Sequence, residues 1–157
     1  MRLFGKSHEA NLKSTCEMVE KVISELNLAP EENRLQTDDG SFAWGLMRGS
    51  AQVFIFLKPG EDKDTFATIQ VVAPVLKLPE STTQQTTLYR HLLELNAREI
   101  KSAAFGLKED TIVITTDRST EDLDRSEVKD MILRVGFFAD LYDDTLVTQF
   151  GGRRFSD

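Results

Sequence analysis

Two histidines, His8 and His91, and one cysteine, Cys16, are the residues with which this chain could hold a transition metal or attack a substrate. A zinc site needs three or four Cys, His or carboxylate donors, and neither histidine has a partner at a spacing typical of zinc ligation. Cys16 falls inside an apolar helical pattern, where a free thiol acts as a small hydrophobe, and with no second cysteine it cannot close a disulfide. The stretch Asp117 to Asp124 is rich in carboxylates. It lacks the sixth-position glycine and terminal glutamate of an EF-hand calcium loop, and reads as a solvated connection that caps a helix. The sequence holds no glycine-rich phosphate loop, no dinucleotide fingerprint and no Gly-x-Ser-x-Gly elbow. No catalytic, cofactor-binding or metal-ligating residue is therefore expected. One enzymatic or ligand-sensing alternative stays open: a polar site assembled only in three dimensions, from Arg90, His91 and carboxylates distant in sequence.

The remaining chemistry is apolar recognition. Phe42, Trp44, Phe54 and Phe56 are interleaved along two strand-like segments, a pattern that can stack nucleic-acid bases or line a groove for a polypeptide. The chain carries 26 acidic against 19 basic residues, a net charge of −7. That balance opposes binding to a phosphate backbone or an anionic membrane. These four aromatics are the candidate partner-binding residues for a protein or extended polypeptide, with core packing as their competing role.

Periodicity supplies the elements that would position them. Ser7 can cap a helix whose apolar positions Leu12, Cys16, Val19, Val22, Ile23 and Leu26 keep helical spacing until Pro30. From Arg34 to Pro79 the reading changes to three or four antiparallel strands, separated at 38–40, 48–50 and 59–65. Asp39-Gly40 and Gly49-Ser50 suit two-residue hairpin turns, because glycine accepts a positive φ. Phe42, Trp44 and Leu46 share one strand face; Val53, Ile55 and Leu57 oppose Phe54 and Phe56 on the next strand, which is apolar on both sides. A strand of that kind lies beneath helices or offers one face to a partner. Pro74 withdraws a backbone donor and marks an edge or a bulge.

After a Ser/Thr/Gln segment at 81–87, Leu88, Leu92 and Leu95 form a helical stripe, with Tyr89, His91 and Leu93 on a flank that can meet a second subunit. Phe105 and Leu107 alternate before the turn Lys108-Glu109-Asp110, and Ile112 and Ile114 alternate after it, as a hairpin requires. Ser126 can cap a last helix running from Val128 through Tyr142 across Gly136. At 157 residues the chain suits one domain, residues 1–150, that buries roughly 70 % of its unfolded surface. Residues 151–157, with Arg153-Arg154 beside Gly151-Gly152, read as a flexible tail. No apolar run approaches the roughly 18 residues that span a bilayer, and a lone cysteine fits a cytoplasmic setting.

The segments Leu88-Tyr-Arg-His-Leu-Leu-Glu-Leu-Asn, Ala104-Phe-Gly-Leu-Lys-Glu-Asp and Ile112-Val-Ile-Thr resemble the helix-and-hairpin signature of the YbjN family. With it comes the type III secretion chaperone-like fold: α+β, an antiparallel sheet with helices, in the order α-β-β-β(-β)-α-β-β-α. The resemblance implies a small, acidic, bacterial, non-enzymatic homodimer that holds a partner on apolar patches as a chaperone or regulator, without cofactor. A subunit of a larger complex is the third reading. Residues 141–157 fall outside the recognised pattern.

Overall fold

The computed structural model describes residues 8–155 and 157. Ser7, expected to cap the first helix, lies outside the described residues. Helix α1 (His8–Glu25) buries Cys16, Val19, Val22 and Ile23, the stripe its spacing predicts. Pro30 does more than stop it. Occupying the first helical position, where no amide donor is required, it opens the short helix α2 (Pro30–Asn33). Strands β1 (Arg34–Leu35), β2 (Phe42–Arg48), β3 (Ala51–Lys58) and β4 (Thr68–Lys77) follow, then α3 (Thr82–Arg98). The chain continues with β5 (Ala104–Lys108), β6 (Thr111–Ser119), α4 (Arg125–Phe150) and β7 (Arg153–Arg154). The strands form one antiparallel sheet in the order β1-β2-β3-β4-β6-β5, with β7 pairing to β4 off this path.

Two local details depart from the reading of the sequence. Helix α3 begins at Thr82, because the Ser81 hydroxyl accepts the Gln84 amide hydrogen and so caps the first turn. The cap of α4 is Asp124 and not Ser126: its carboxylate accepts the Glu127 amide at 2.9 Å while Glu127 accepts the Asp124 amide at 2.9 Å. Pro74, expected to mark an edge or a bulge, sits at a bulge in β4, where the register with β6 shifts between Pro74 and Leu76. Within the segment expected to be a flexible tail, Arg153 and Arg154 pair with Lys77 and Leu76 of β4 as β7.

All helical packing falls on one face of the sheet. Trp44, Leu46, Val53, Ile55, Leu57, Ile69, Val71 and Ile114 point to it and are at most 2 % exposed. Helix α4 crosses β2, β3, β4 and β6 on this face, with α1 and α3 beside it. The register fixes the sidedness. Gly49-Ser50 forms a two-residue turn with Gly49 at φ +59°, so Arg48 pairs with Ala51, Trp44 with Ile55 and Gly45 with Phe54. The turn is latched to α4: the Ser50 hydroxyl oxygen lies 2.6 Å from Asp140 and 2.8 Å from the buried carboxylate of Asp143.

Candidate functional site

Strand alternation sends the even residues of β3 to the second face, which no described helix covers. Phe54 and Phe56 stand there half-buried, their rings nearly parallel with centroids 6.3 Å apart. In register with them lie Gly45 of β2 and Val72 and Gln70 of β4, and Leu35 of β1 flanks the Phe54 ring. Leu35 is 41 % exposed and Met47, on the same face of β2, is 60 % exposed. Ala43, Val72 and Val113 form a buried floor beneath these larger side chains. The result is an apolar strip across the middle of an uncovered sheet face.

Charge frames the strip. Lys58 holds its ammonium 5.8 Å from the Phe56 ring centroid. Asp39 accepts the Ser41 amide at 3.1 Å, and hydrogen bonds from the Ser41 hydroxyl and amide hold its carboxyl below the usual carboxylate range. Phe56, Lys58, Gln70 and Asp39 line a cleft of about 380 Å³, together with Lys108 of β5. Since β4 and β6 separate β3 from β5, a cleft shared by Lys58 and Lys108 requires the sheet to curl toward its open face. The face is a trough.

The expected aromatic quartet divides between the two faces. Phe54 and Phe56 belong to the trough, whereas Phe42 and Trp44 belong to the helical side, with Trp44 fully buried. Their role is packing: the Arg34 guanidinium lies 5.2 Å from the Phe42 centroid and 6.0 Å from that of Trp44. Trp44 lies in the core, 0 % exposed. The sequence reading missed Leu35, Met47 and Val72. Leu35 sits in a strand of two residues that periodicity cannot register, but the period-2 pattern of β2 and β4 does carry Met47 and Val72.

A second apolar patch lies at the far sheet edge. Leu93 of α3 is 68 % exposed and Leu107 of β5 is 52 % exposed, and with Tyr89 and Phe105 they border a hollow of 210 Å³. Asn96 fixes the helix to the strand, donating to the Phe105 carbonyl at 3.2 Å and accepting its amide at 2.8 Å. The outer edge of β5 pairs with no described strand. Of the expected dimer residues, Tyr89 and Leu93 border this patch. His91 does not; it projects from another side of α3 and lies against Phe150, ring centroids 4.9 Å apart.

Other polar candidates have structural partners. Arg90 pairs with Glu94 on the surface of α3, and neither Arg90 nor His91 lines a described cavity. Cys16 is buried; burial and then Glu20 push its thiol pKa up, and its sulfur accepts from Arg34 at 3.6 Å. Within the acidic connection Asp124 caps α4 and Arg118 pairs with Glu127 at 2.8 Å. Among the described residues no group of three His, Cys, Asp or Glu side chains is arranged to hold a metal ion, and no helix is long and apolar enough to cross a membrane.

The profile of the family described as T3SS (YopN, CesT) and YbjN peptide-binding chaperone 1, TY-Chap1, matches residues 13–157. No curated protein matches the chain. Among solved structures, a chain of the ExsC–ExsE complex is similar at TM-score 0.56 and 13 % identity, the match covering 86 % of this chain and 95 % of that one. A chain of the HopA1–SchA chaperone–effector complex is similar at TM-score 0.55 and 13 % identity, covering 87 % and 97 %. A chain of the heterodimeric ExoU–SpcU complex, from the type III secretion system of Pseudomonas aeruginosa, is similar at TM-score 0.51 and 11 % identity, covering 82 % and 94 %. At these identities the likeness is one of fold.

Proposed function

The chain belongs to the TY-Chap1 family of type III secretion and YbjN peptide-binding chaperones, and we propose that it holds a partner polypeptide, in extended form and without catalysis, in the trough of its open sheet face. One observation carries this reading: a continuous apolar strip, Leu35, Phe54, Phe56 and Met47, left uncovered on a sheet whose other face carries the helices. An exposed apolar surface of this kind costs solubility unless a partner uses it. An extended peptide fits it, since alternate side chains can enter the spaces beside the two phenylalanines while polar ends meet Lys58, Lys108 or Asp39. The fold-level relative solved as a chaperone–effector complex supports the same class of partner.

The working form is a homodimer joined at the patch formed by Tyr89, Leu93 and Leu107, where an apolar hollow adjoins an unpaired strand edge. An array of short unstructured peptides, probed with the purified chain, tests the trough. Binding to apolar, extended peptides that falls about tenfold or more in Phe54→Asp and Phe56→Asp supports it. Equal binding by the folded variants refutes it.

A further inference from the structure

The seam between β3 and β4 is incomplete. The two strands pair from Phe54 with Val72 to Lys58 with Thr68, and no pairing joins Ala51–Val53 to Ala73–Val75. At Leu76 and Lys77 one side of β4 is taken by β6, through Ile112 and Thr111. The pairing of these same residues with Arg154 and Arg153 therefore places β7 on the β3 side. Along that edge β4 is filled by β3 as far as Val72 and by β7 from Leu76, leaving Ala73, Pro74 and Val75 between them. A cavity of 250 Å³ occupies the gap, bordered by Met47, Gln52, Val75, Asp143, Arg154 and Phe155.

The tail is shaped for this position yet held weakly. Gly151 and Gly152 adopt φ of +80° and +83°, and a methyl group at Gly152 would collide with the Lys77 carbonyl, so the turn into β7 depends on glycine. Beyond two residue pairs, β7 is tied to α4 by Arg154, which meets Asp144 at 2.9 Å; its second ion pair, to Asp157 at 3.5 Å, stays within the terminal segment. Both ion pairs are solvent-exposed and contribute little. Phe155, 39 % exposed, borders the cavity with Met47. A strand of two residues, next to β4 positions 73–75 that pair with neither β3 nor β7, is a poor competitor for a longer one.

We propose that the gap between β3 and β4 is a strand-accepting slot for an extended peptide bearing an arginine followed by an aromatic residue, and that β7 is its built-in, displaceable occupant. An incoming segment pairs with β4 from Ala73 to Lys77, presents its arginine to Asp144 and its aromatic side chain to Met47. The slot adds a backbone-directed contact to the peptide-binding role proposed above, on which it rests, and makes the tail an internal brake on that contact.

The test uses the full-length chain and a fluorescein-labelled peptide of residues 151–157. In Gly152→Ala and Gly152→Val, faster amide exchange at Leu76 and Lys77, the residues that β7 pairs with, reports release of β7. The expected result is binding of the peptide at least about tenfold tighter than by the wild-type chain, lost when the peptide carries Arg154→Glu or Phe155→Ala. Release of β7 without binding overturns the slot, and binding indifferent to both peptide changes overturns the stated specificity. Retained protection of Leu76 and Lys77 in both protein variants overturns displaceability. Phe56→Asp, placed in the Gly152→Ala background, leaves this binding unchanged; failure of the trough on the peptide array is thereby distinguished from failure of the slot.

Discussion

Ile55 and Phe56 are adjacent in sequence and opposite in assignment, so truncating each separates packing from recognition. Ile55 is 0 % exposed and stands between Trp44 and Val71 in the register, on the face that α4 covers. Ile55→Ala removes fully buried methylenes and leaves a cavity, a loss of about 2–5 kcal/mol against a total of roughly 5–15 kcal/mol for a domain. With a urea slope of about 2 kcal/mol per molar, the midpoint falls by about 1–2.5 M. Phe56→Asp forfeits a ring contact of about 0.5–1 kcal/mol and a strand preference of up to about 1 kcal/mol, so its midpoint moves less. Affinity for peptide inverts the order. A carboxylate at the centre of the apolar strip costs about 1–3 kcal/mol of binding, roughly 5- to 150-fold, while the folded fraction of Ile55→Ala binds as the parent does. Trp44 is the single, buried tryptophan and its fluorescence reports unfolding; anisotropy of a labelled peptide from the array reports binding. If Phe56→Asp lowers the urea midpoint as far as Ile55→Ala and binds peptide normally, the second face is interior and the reasoning fails.

Light scattering across micromolar concentrations should return a dimer for the parent chain and a monomer for Leu93→Asp combined with Leu107→Asp; a monomeric parent refutes the proposed interface. Both residues are more than half exposed, so the monomer's stability changes by about 0.5 kcal/mol or less per site. The acid limb of stability should follow Asp39, Asp124 and Asp140, whose carboxyls are held below the ordinary 3.8 by hydrogen bonds from the hydroxyls of Ser41, Ser126 and Ser50 first of all. A depressed folded pKa gives stability that is complete above the unfolded value and is lost as pH falls through the folded one, so urea midpoints hold near neutrality and drop below about pH 4. Tyr142 acts at the other limb: burial, then its hydrogen bond to Glu99 at 3.0 Å, raises the phenol above 10. Its contribution is complete below that value and lost as pH rises through the folded pKa, and Tyr142→Phe should remove this alkaline loss.

Where periodicity was strong the sequence was sufficient. The stripe Leu88, Leu92 and Leu95 is buried as spacing requires, and Phe105 pairs with Ile114 across the hairpin. The first turns of α3 were missed because Thr86 and Thr87 are weak helix formers; their hydroxyls bond the carbonyls of Thr82 and Thr83, four residues back. A two-residue strand such as β7 has no periodicity to detect. The division of the aromatics was legible in principle. A two-residue turn at Gly49-Ser50 pairs 48 with 51, hence 44 with 55 and 45 with 54, which already puts Trp44 and Phe54 on opposite faces. His91 could be separated from Tyr89 and Leu93 in the same way: at about 100° per residue those two lie about 40° apart and His91 about 160° from either. What no pattern in the sequence supplied is the curl that brings Lys108 toward Lys58, since curvature accumulates over four strands and depends on a bulge.

The trough and the proposed dimer patch meet on β5, and in such a dimer their geometry would couple them. Leu107 points to the helical side while Gly106 and Lys108 point to the open side, because side chains alternate along the strand. Antiparallel pairing of β5 with the β5 of a second copy places the two-fold axis perpendicular to the sheet, so it covers Leu107 and Leu93 and leaves both troughs on one common surface. A polypeptide long enough to reach from one trough to the other then binds its second half intramolecularly, a gain of about 100-fold or more over either trough alone. Leu93→Asp, which touches neither Phe54 nor Phe56, should therefore weaken a long tandem peptide by about that factor and leave a short one unaffected, measured by anisotropy on the same protein preparation. Equal losses for long and short peptides would mean that the substitution disturbs the trough itself, and no loss for either would mean that the two copies do not present their open faces together.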